Sequence, residues 1–387
     1  MKKRDVYLDT LRTIAIISIV MDHAVMMGYH ILYASFAEEF QIYSWCGKII
    51  RIATWEFSRW GVPIFLIISG ALILNKNLEK IEDIKIFYKK NVIPLIVINE
   101  IWVVIDYLVA YFLNRFDVPC VYAENSSYNL SFKEFMYSIL MIKRSCFPNM
   151  WYIPMIIGMY VFLPYVAEIL KKYWSIIKYV LFIWLIMCFL PNDISYVLRI
   201  MGYDIQTNPI ISVAFSGGVY GIYIIVGWYL AGNESFVRKI SSPVLILILT
   251  VIICTDIALT MLYFNRGYIN SMFAANNSFL QLSTVAIVFE LCRRIKYLKS
   301  ISIIVKYLAC YSFPIYLMHY PIMLVVDNVI SKTNLINESY STIRVGLCFM
   351  ITMGVCILIS MLIPNCSFIR KYVFHMPMKQ KIKSNEV

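Results

Sequence analysis

Arg12 and His23 are the residues of this sequence whose types and spacing best suit chemistry. They lie in a segment that begins Tyr7-Leu8-Asp9-Thr10-Leu11-Arg12 and runs on to Met21-Asp22-His23-Ala24. Between them stand only apolar residues, Ser and Thr, until Asp22. A helix turns about 100° and rises about 1.5 Å per residue, so eleven steps return within about 20° of the starting face, roughly 16 Å further along. If the segment spans a bilayer, Arg12 stands near one interface and His23 lies deep on the same stripe. Ionisable groups inside a membrane are expensive, which makes each a candidate for function. The competing reading is that Arg12 snorkels to headgroups and His23 is a hydrogen-bonded packing residue.

The remaining candidates are weaker. Asp9 precedes Arg12 by one turn, on the same stretch. A second apolar segment opens Ser58-Arg59-Trp60-Gly61-Val62-Pro63 and ends Ile68-Ser69-Gly70-Ala71-Leu72. Its small residues permit a neighbouring helix, or a ligand, to approach the backbone closely, and helix packing is the commoner reason for such a cluster. Lys89 and Lys90 close a lysine-rich loop at 75–91; topology signalling and the holding of a phosphorylated ligand explain it equally well. Glu100 and Asp106 lie in a third apolar segment, six residues or about 240° apart, so they cannot share one narrow face. Trp151 and Tyr152 read as an interfacial aromatic belt, and Asp256 as an acid unlikely to face lipid. His319 sits between Pro314 and Pro321, which predicts a broken helix around a polar centre, packed by protein or lining a cavity. The other two histidines, His30 and His375, fall at interfaces and read as incidental. No metal site is expected, because neither buried histidine has a His or Cys neighbour at ligand spacing.

Composition sets what must position these residues. Hydrophobic residues are 60% of the 387, charged residues 15%, and mean hydropathy is +0.71. A chain of this length with so little polar cover is an all-α polytopic membrane protein, a single membrane-embedded domain over 1–387. Windows of about 20 residues give about ten transmembrane helices, at 8–28, 58–75, 92–113, 150–170, 175–191, 210–231, 243–264, 271–291, 307–330 and 343–363. The first carries no small-residue cleavage site, so it reads as a retained helix and not a signal peptide. With the N-terminus inside, about two thirds of the Lys and Arg fall on inward segments, which predicts that both termini are cytoplasmic. The same bias accounts for the net charge of +12 without nucleic-acid binding, for which no compact basic domain exists.

Several connecting features follow. The stretch 29–57 is expected to hold an interfacial helix, and 132–142 an amphipathic helix capping the outer face. Asn125-Ser126-Ser127 fits a glycosylation pattern too common to weigh. Ser216-Gly217-Gly218 permits another close approach. The ten cysteines are scattered without a C-x-x-C pair, as buried free thiols would be.

The chain resembles the acyltransferase 3 family of bacterial integral-membrane O-acyltransferases over nearly its whole length. The resemblance rests on Asp9-Thr10-Leu11-Arg12 with His23, then Val62-Pro63-Ile64-Phe65 with Ile68-Ser69-Gly70. It continues through Trp151-Tyr152-Ile153-Pro154-Met155 and Pro314-Ile315-Tyr316-Leu317-Met318-His319. It looks closest to the branch that acetylates surface polysaccharides and their lipid-linked repeat units. The resemblance implies transfer of an acyl group, usually acetyl, from cytoplasmic acyl-CoA (acetyl-CoA) to a hydroxyl of an extracytoplasmic glycan, at the cytoplasmic membrane. His23 would then be the base that takes the hydroxyl proton, and neutral imidazole suits that task; a transient acyl-histidine is the lesser variant. Arg12, aided by Lys89 or Lys90, would meet phosphate or carbonyl oxygens of the CoA arm. Family members often carry arginines where this loop has Lys89, Lys90 and Asn91, and lysine cannot make the bidentate fork. Besides membrane lipid, the partner implied is a cell-surface polysaccharide or lipid-linked glycan acceptor. A proton-coupled transporter built on Glu100, Asp106 and Asp256 is the alternative, and a purely structural partner in a polysaccharide synthase a third.

Overall fold

Long apolar runs that must satisfy every backbone group within themselves form helices in a bilayer, and the chain is built accordingly. The computed structural model describes residues 5–29, 40–119, 128, 130–143, 145–203, 219–268, 276–295, 299–333 and 341–376. Twelve α-helices occur among the described residues, and no strand. They are α1 (Val6–Gly28), α2 (Trp45–Ser58), α3 (Gly61–Ile73), α4 (Ile81–Phe87), α5 (Ile93–Arg115) and α6 (Phe132–Ile139), then α7 (Tyr152–Ile200), α8 (Val219–Ala231), α9 (Ser242–Asn265), α10 (Phe279–Arg294), α11 (Lys299–Lys332) and α12 (Ser341–Leu362). Seven helical runs are long and apolar enough to cross a membrane. Large apolar side chains such as Phe182, Leu247 and Leu358 point outward, as a surface bathed in lipid requires. The molecule is a membrane protein.

Each of the ten expected spans meets a helix. α8 and α10 have 13 and 16 described residues, and 210–218 and 271–275, which would lengthen them, lie outside the described residues. So do Ser216-Gly217-Gly218, the Asn125 pattern, His30 and most basic residues of the two termini. The expected interfacial helix at 29–57 is α2 where described, and α2 bends into α3 at Arg59-Trp60. The amphipathic stretch at 132–142 is α6, capped by Ser131 Oγ, which accepts from Glu134 N at 3.3 Å.

α7 contains two expected spans and folds back between them. Tyr173 has non-helical backbone angles. Trp151 at the near end lies tilted against Tyr220, ring centres 5.5 Å apart, and the Tyr220 hydroxyl accepts from Asn276 at 3.3 Å. Asn192, forty-one residues later, donates to the carbonyl of the adjacent Asn277 at 3.5 Å. A straight helix would hold those ends about 60 Å apart, so the chain reverses at Tyr173. α3 and α8 cross with their backbones in contact. A Cβ placed on Gly70 would lie 1.7 Å from the Ile224 carbonyl oxygen, and one on Gly227 would lie 2.0 Å from that of Ile67. Packing thus accounts for Gly70.

α1 is central. It packs against α2, α3, α10, α11 and α12, and Ala15, Ile16, Val20 and Val25 are wholly buried, as a helix apolar on all sides must be. Thr13 Oγ1 donates to Val305 O at 3.2 Å, fixing its height against α11. α11 corrects one expectation: it is continuous through Pro314 and Pro321 instead of broken. Each proline removes one donor, and packed neighbours absorb the loss. After α12 the chain turns back into the bundle. Trp102 Nε1 donates to Val373 O at 2.8 Å, and Phe374 sits edge-on to the Trp102 ring at 5.9 Å.

Candidate active site

The C-terminal half of α1 carries His23 into a cavity of about 380 Å³ lined also by Asp22, Arg59, Trp151, Tyr220 and Asn276. The imidazole is flanked by His319 and Tyr320, each with its ring centre 5.1 Å away. His319 is fully buried, and its Nδ1 lies 2.7 Å from Tyr316 O and 3.2 Å from Ile315 O. Two carbonyls around one ring nitrogen require that nitrogen to carry the proton, leaving a lone pair on Nε2. Among the described residues, His319 Nε2 and His23 Nδ1 are both buried and find no hydrogen-bond partner. The polar centre expected between the two prolines is therefore real, although the helix around it is intact.

Asp22, passed over as a neighbour of His23 in the sequence, organises the rest of this cavity. Arg59 Nη1 donates to both of its carboxylate oxygens at 3.2 and 3.3 Å, and Ser58 Oγ donates to Oδ1 at 3.2 Å. Gln281 Nε2 donates to Arg59 O at 2.8 Å, which pins the bend between α2 and α3. One turn earlier on α2, buried Glu56 accepts from Thr260 Oγ1 at 3.0 Å, one turn from Asp256 on α9. Positive and negative charge balance at the cavity wall, and the aromatic faces of Trp151 and Tyr220 stand beside it.

The N-terminal half of α1 carries Arg12 into a second cavity of about 340 Å³. Asp9 holds Arg12 Nη1 at 3.0 Å while staying buried itself, with the arginine side chain 28% exposed to the cavity. Asp9 thus supports Arg12 from behind. Ser69 Oγ lies in the wall, 2.9 Å from Tyr160 Oη and 3.0 Å from the Phe65 carbonyl that it bonds. The cationic groups of this wall besides Arg12 are not Lys89 and Lys90. Those two point outward from a π-helical turn at Tyr88–Val92, whereas Lys76, Asn91 and His375 line the cavity. His375, expected to be incidental, therefore belongs to this wall.

Tyr152 and Tyr316 line both cavities. Their rings meet edge to face at 5.7 Å. Tyr316 Oη donates to Asn149 O at 2.5 Å, and Asn149 Nδ2 donates back to Tyr316 O at 3.3 Å. This locked pair is the partition between the space around Arg12 and the space around His23. Glu100 and Asp106 line neither cavity: Glu100 accepts from Asn99 Nδ2 at 3.2 Å, and Asp106 from Ser145 Oγ at 2.7 Å. Among the described residues, no three His, Cys, Asp or Glu side chains converge as metal ligands do.

A helical membrane protein thus holds two cavities that share Tyr152 and Tyr316 in their walls, one lined by an imidazole and one by an arginine. The particular kind is given by its family. The family model for the acyltransferase domain of the acyltransferase 3 family matches residues 5–361, nearly the whole chain, and the chain belongs to that family. It is a membrane-bound acyltransferase. No curated protein and no solved structure matches it.

Proposed function

We propose that the protein moves an acyl group, acetyl above all, from cytoplasmic acyl-CoA to a hydroxyl of an extracytoplasmic glycan or lipid-linked sugar. It would work in a bacterial cytoplasmic membrane, with about ten spans and both termini inside. The observation that carries this reading is the pair of cavities along α1, one reached by Arg12 and the other by His23, with Tyr152 and Tyr316 lining both. A donor and an acceptor that approach from opposite faces of a membrane need that arrangement.

The Arg12 cavity suits the donor. Arg12 and Lys76 offer charge to phosphate, and the apolar side chains of Phe65, Ile68, Leu72 and Ile156 suit a long, thin arm. The His23 cavity suits a sugar: aromatic faces from Trp151 and Tyr220, with Asp22, Arg59 and Asn276 as a few placed polar groups. Its balanced charge favours an uncharged ring over an acidic one. In the reaction the acceptor oxygen attacks the thioester carbonyl as the His23 imidazole takes the hydroxyl proton. The tetrahedral intermediate expels the CoA sulfur, which receives that proton, so an ester and free CoA form with no net proton change. His319 packs beside the base, its ring centre 5.1 Å from that of His23; the neutral His23 tautomer with hydrogen on Nδ1 would present Nε2 as the base. The Tyr152–Tyr316 partition must part for the thioester to reach the hydroxyl.

The test is transfer of labelled acetyl from acetyl-CoA to glycan by the purified, membrane-reconstituted protein. His23→Gln should lose on the order of 100-fold or more in transfer while still binding acetyl-CoA, since glutamine keeps a similar polar volume. His319→Gln should be milder. Near wild-type acylation by well-folded His23→Gln would remove the base and the mechanism with it.

A further inference from the structure

The family match ends at residue 361 and α12 ends at Leu362, yet His375, beyond both, lines the Arg12 cavity. The segment re-enters the bundle instead of leaving it. Its contact on α5 is Trp102, eleven residues beyond Asn91 at the cavity wall, or about 16 Å further along. It is held at both ends of its last turn: Arg370 is 2% and Met376 5% exposed, and Met376 N donates to Arg370 O. Between them His375 has φ of +46°. A non-glycine residue in that left-handed region is uncommon, and such strain persists where the surroundings over-determine it, frequently at functional sites. Here the strained backbone delivers the imidazole to the cavity wall, edge-on to Phe313 at 5.4 Å. Phe313 is one turn before Tyr316 on α11, with the two rings 5.9 Å apart, so the exposed His375 is linked through one ring to the shared wall.

The donor's pantetheine arm carries two amides, and this cavity is mostly apolar. A buried amide without a partner costs far more than a paired one gains. Of the polar groups in the wall, Ser69 Oγ is already committed to Phe65 O and Tyr160. The His375 ring makes no hydrogen bond among the described residues, and imidazole offers one N–H donor and one acceptor nitrogen, the complement of an amide. We propose that His375, carried by this re-entrant strap outside the family-matched region, is a donor-binding residue that hydrogen-bonds the pantetheine arm close to the Tyr152–Tyr316 wall. The proposal rests on the acyl-CoA reading of the Arg12 cavity.

The experiment is calorimetric binding to the full-length purified protein with two probes: acetyl-CoA, and adenosine 3′,5′-bisphosphate, which lacks the arm. His375→Gly deletes the ring where glycine is the residue most at ease with the backbone, so the strap should keep its course. His375→Asn also tolerates the left-handed region and restores a donor and an acceptor. His375→Gly should bind acetyl-CoA about three- to tenfold more weakly, the worth of one hydrogen bond. It should bind the bisphosphate as the wild type does, and His375→Asn should recover part of the loss. Unchanged acetyl-CoA affinity in His375→Gly, or equal weakening of both probes in both variants, would overturn the role of His375 and leave the donor reading standing. A wild-type protein that binds neither probe would overturn the donor reading and this proposal together.

Discussion

Arg12 stands partly inside the protein: its Nη1 is held by buried Asp9 and its side chain lines the cavity, so the guanidinium is placed before any ligand arrives. In the proposed donor site Arg12→Ala should weaken CoA binding by about 1.5–3 kcal/mol, the usual worth of a hydrogen bond to a charged group. Arg12→Lys should recover only part, because an ammonium lacks the bidentate geometry. Calorimetry showing unchanged affinity in Arg12→Ala would take Arg12 out of the donor site. The common stripe of Arg12 and His23 was legible because helical periodicity alone fixes it. Asp22 was not, since its importance comes from Arg59, thirty-seven positions away, which only the meeting of α1 with the α2–α3 bend reveals. Lys89 and Lys90 are exposed on the π-helical turn at Tyr88–Val92, while their neighbour Asn91 lines the cavity.

Elements are held at their contacts by features of two kinds, small residues and buried polar clamps. At the crossing of α3 and α8, Gly70 faces the Ile224 carbonyl and Gly227 faces that of Ile67, so neither helix can carry a side chain there. Gly70→Ala must push the helices apart; overpacking of this kind costs about 1–3 kcal/mol, and backbone cannot yield as a side-chain tip can. The Ser69 and Phe65 walls would move with α3, so lower thermal stability in detergent should come with lost acetyl-CoA affinity. A Gly70→Ala protein as stable as the wild type would show that the crossing is looser than described. The cluster Ser69-Gly70-Ala71 announced this contact but not its partner, because Gly227 lies in a run with no such cluster. The reversal of α7 was legible as two apolar windows, whereas the continuity of α11 was not: two prolines read as a break in sequence, and only the tertiary surroundings keep the helix whole. Arg293 and Arg294, among the basic residues that bias the connecting segments, close α10. They also clamp a turn, with Arg294 donating to the carbonyls of Val237, Arg238 and Ile240 at 3.3, 3.0 and 2.7 Å.

Over the whole molecule, the two cavities acquire meaning only with a sidedness, and sidedness is an electrostatic property of the connecting segments. The lysine-rich segment with α4 lies at the Arg12 end, where Lys76 lines the cavity and Lys171 donates to Lys76 O at 2.6 Å. α6 lies toward the other end: its Phe135 packs at 5.0 Å on Tyr107, beside the Asp106 that Ser145 bonds, in the stretch leading to Asn149 and the His23 cavity. Positive charge concentrates on the cytoplasmic side of membrane proteins, so the Arg12 cavity should open inward, where acyl-CoA is made, and the His23 cavity outward. Single cysteines at Lys85 and Lys133, both exposed, report the two sides on a background lacking native cysteines. An impermeant thiol reagent added to intact cells should label Lys133→Cys at once and Lys85→Cys only after permeabilisation. The reverse pattern would turn the molecule over. It would put the arginine cavity outside, where no acyl-CoA is available, and the proposed direction of transfer would fall even if both cavities and both α1 residues kept their chemistry.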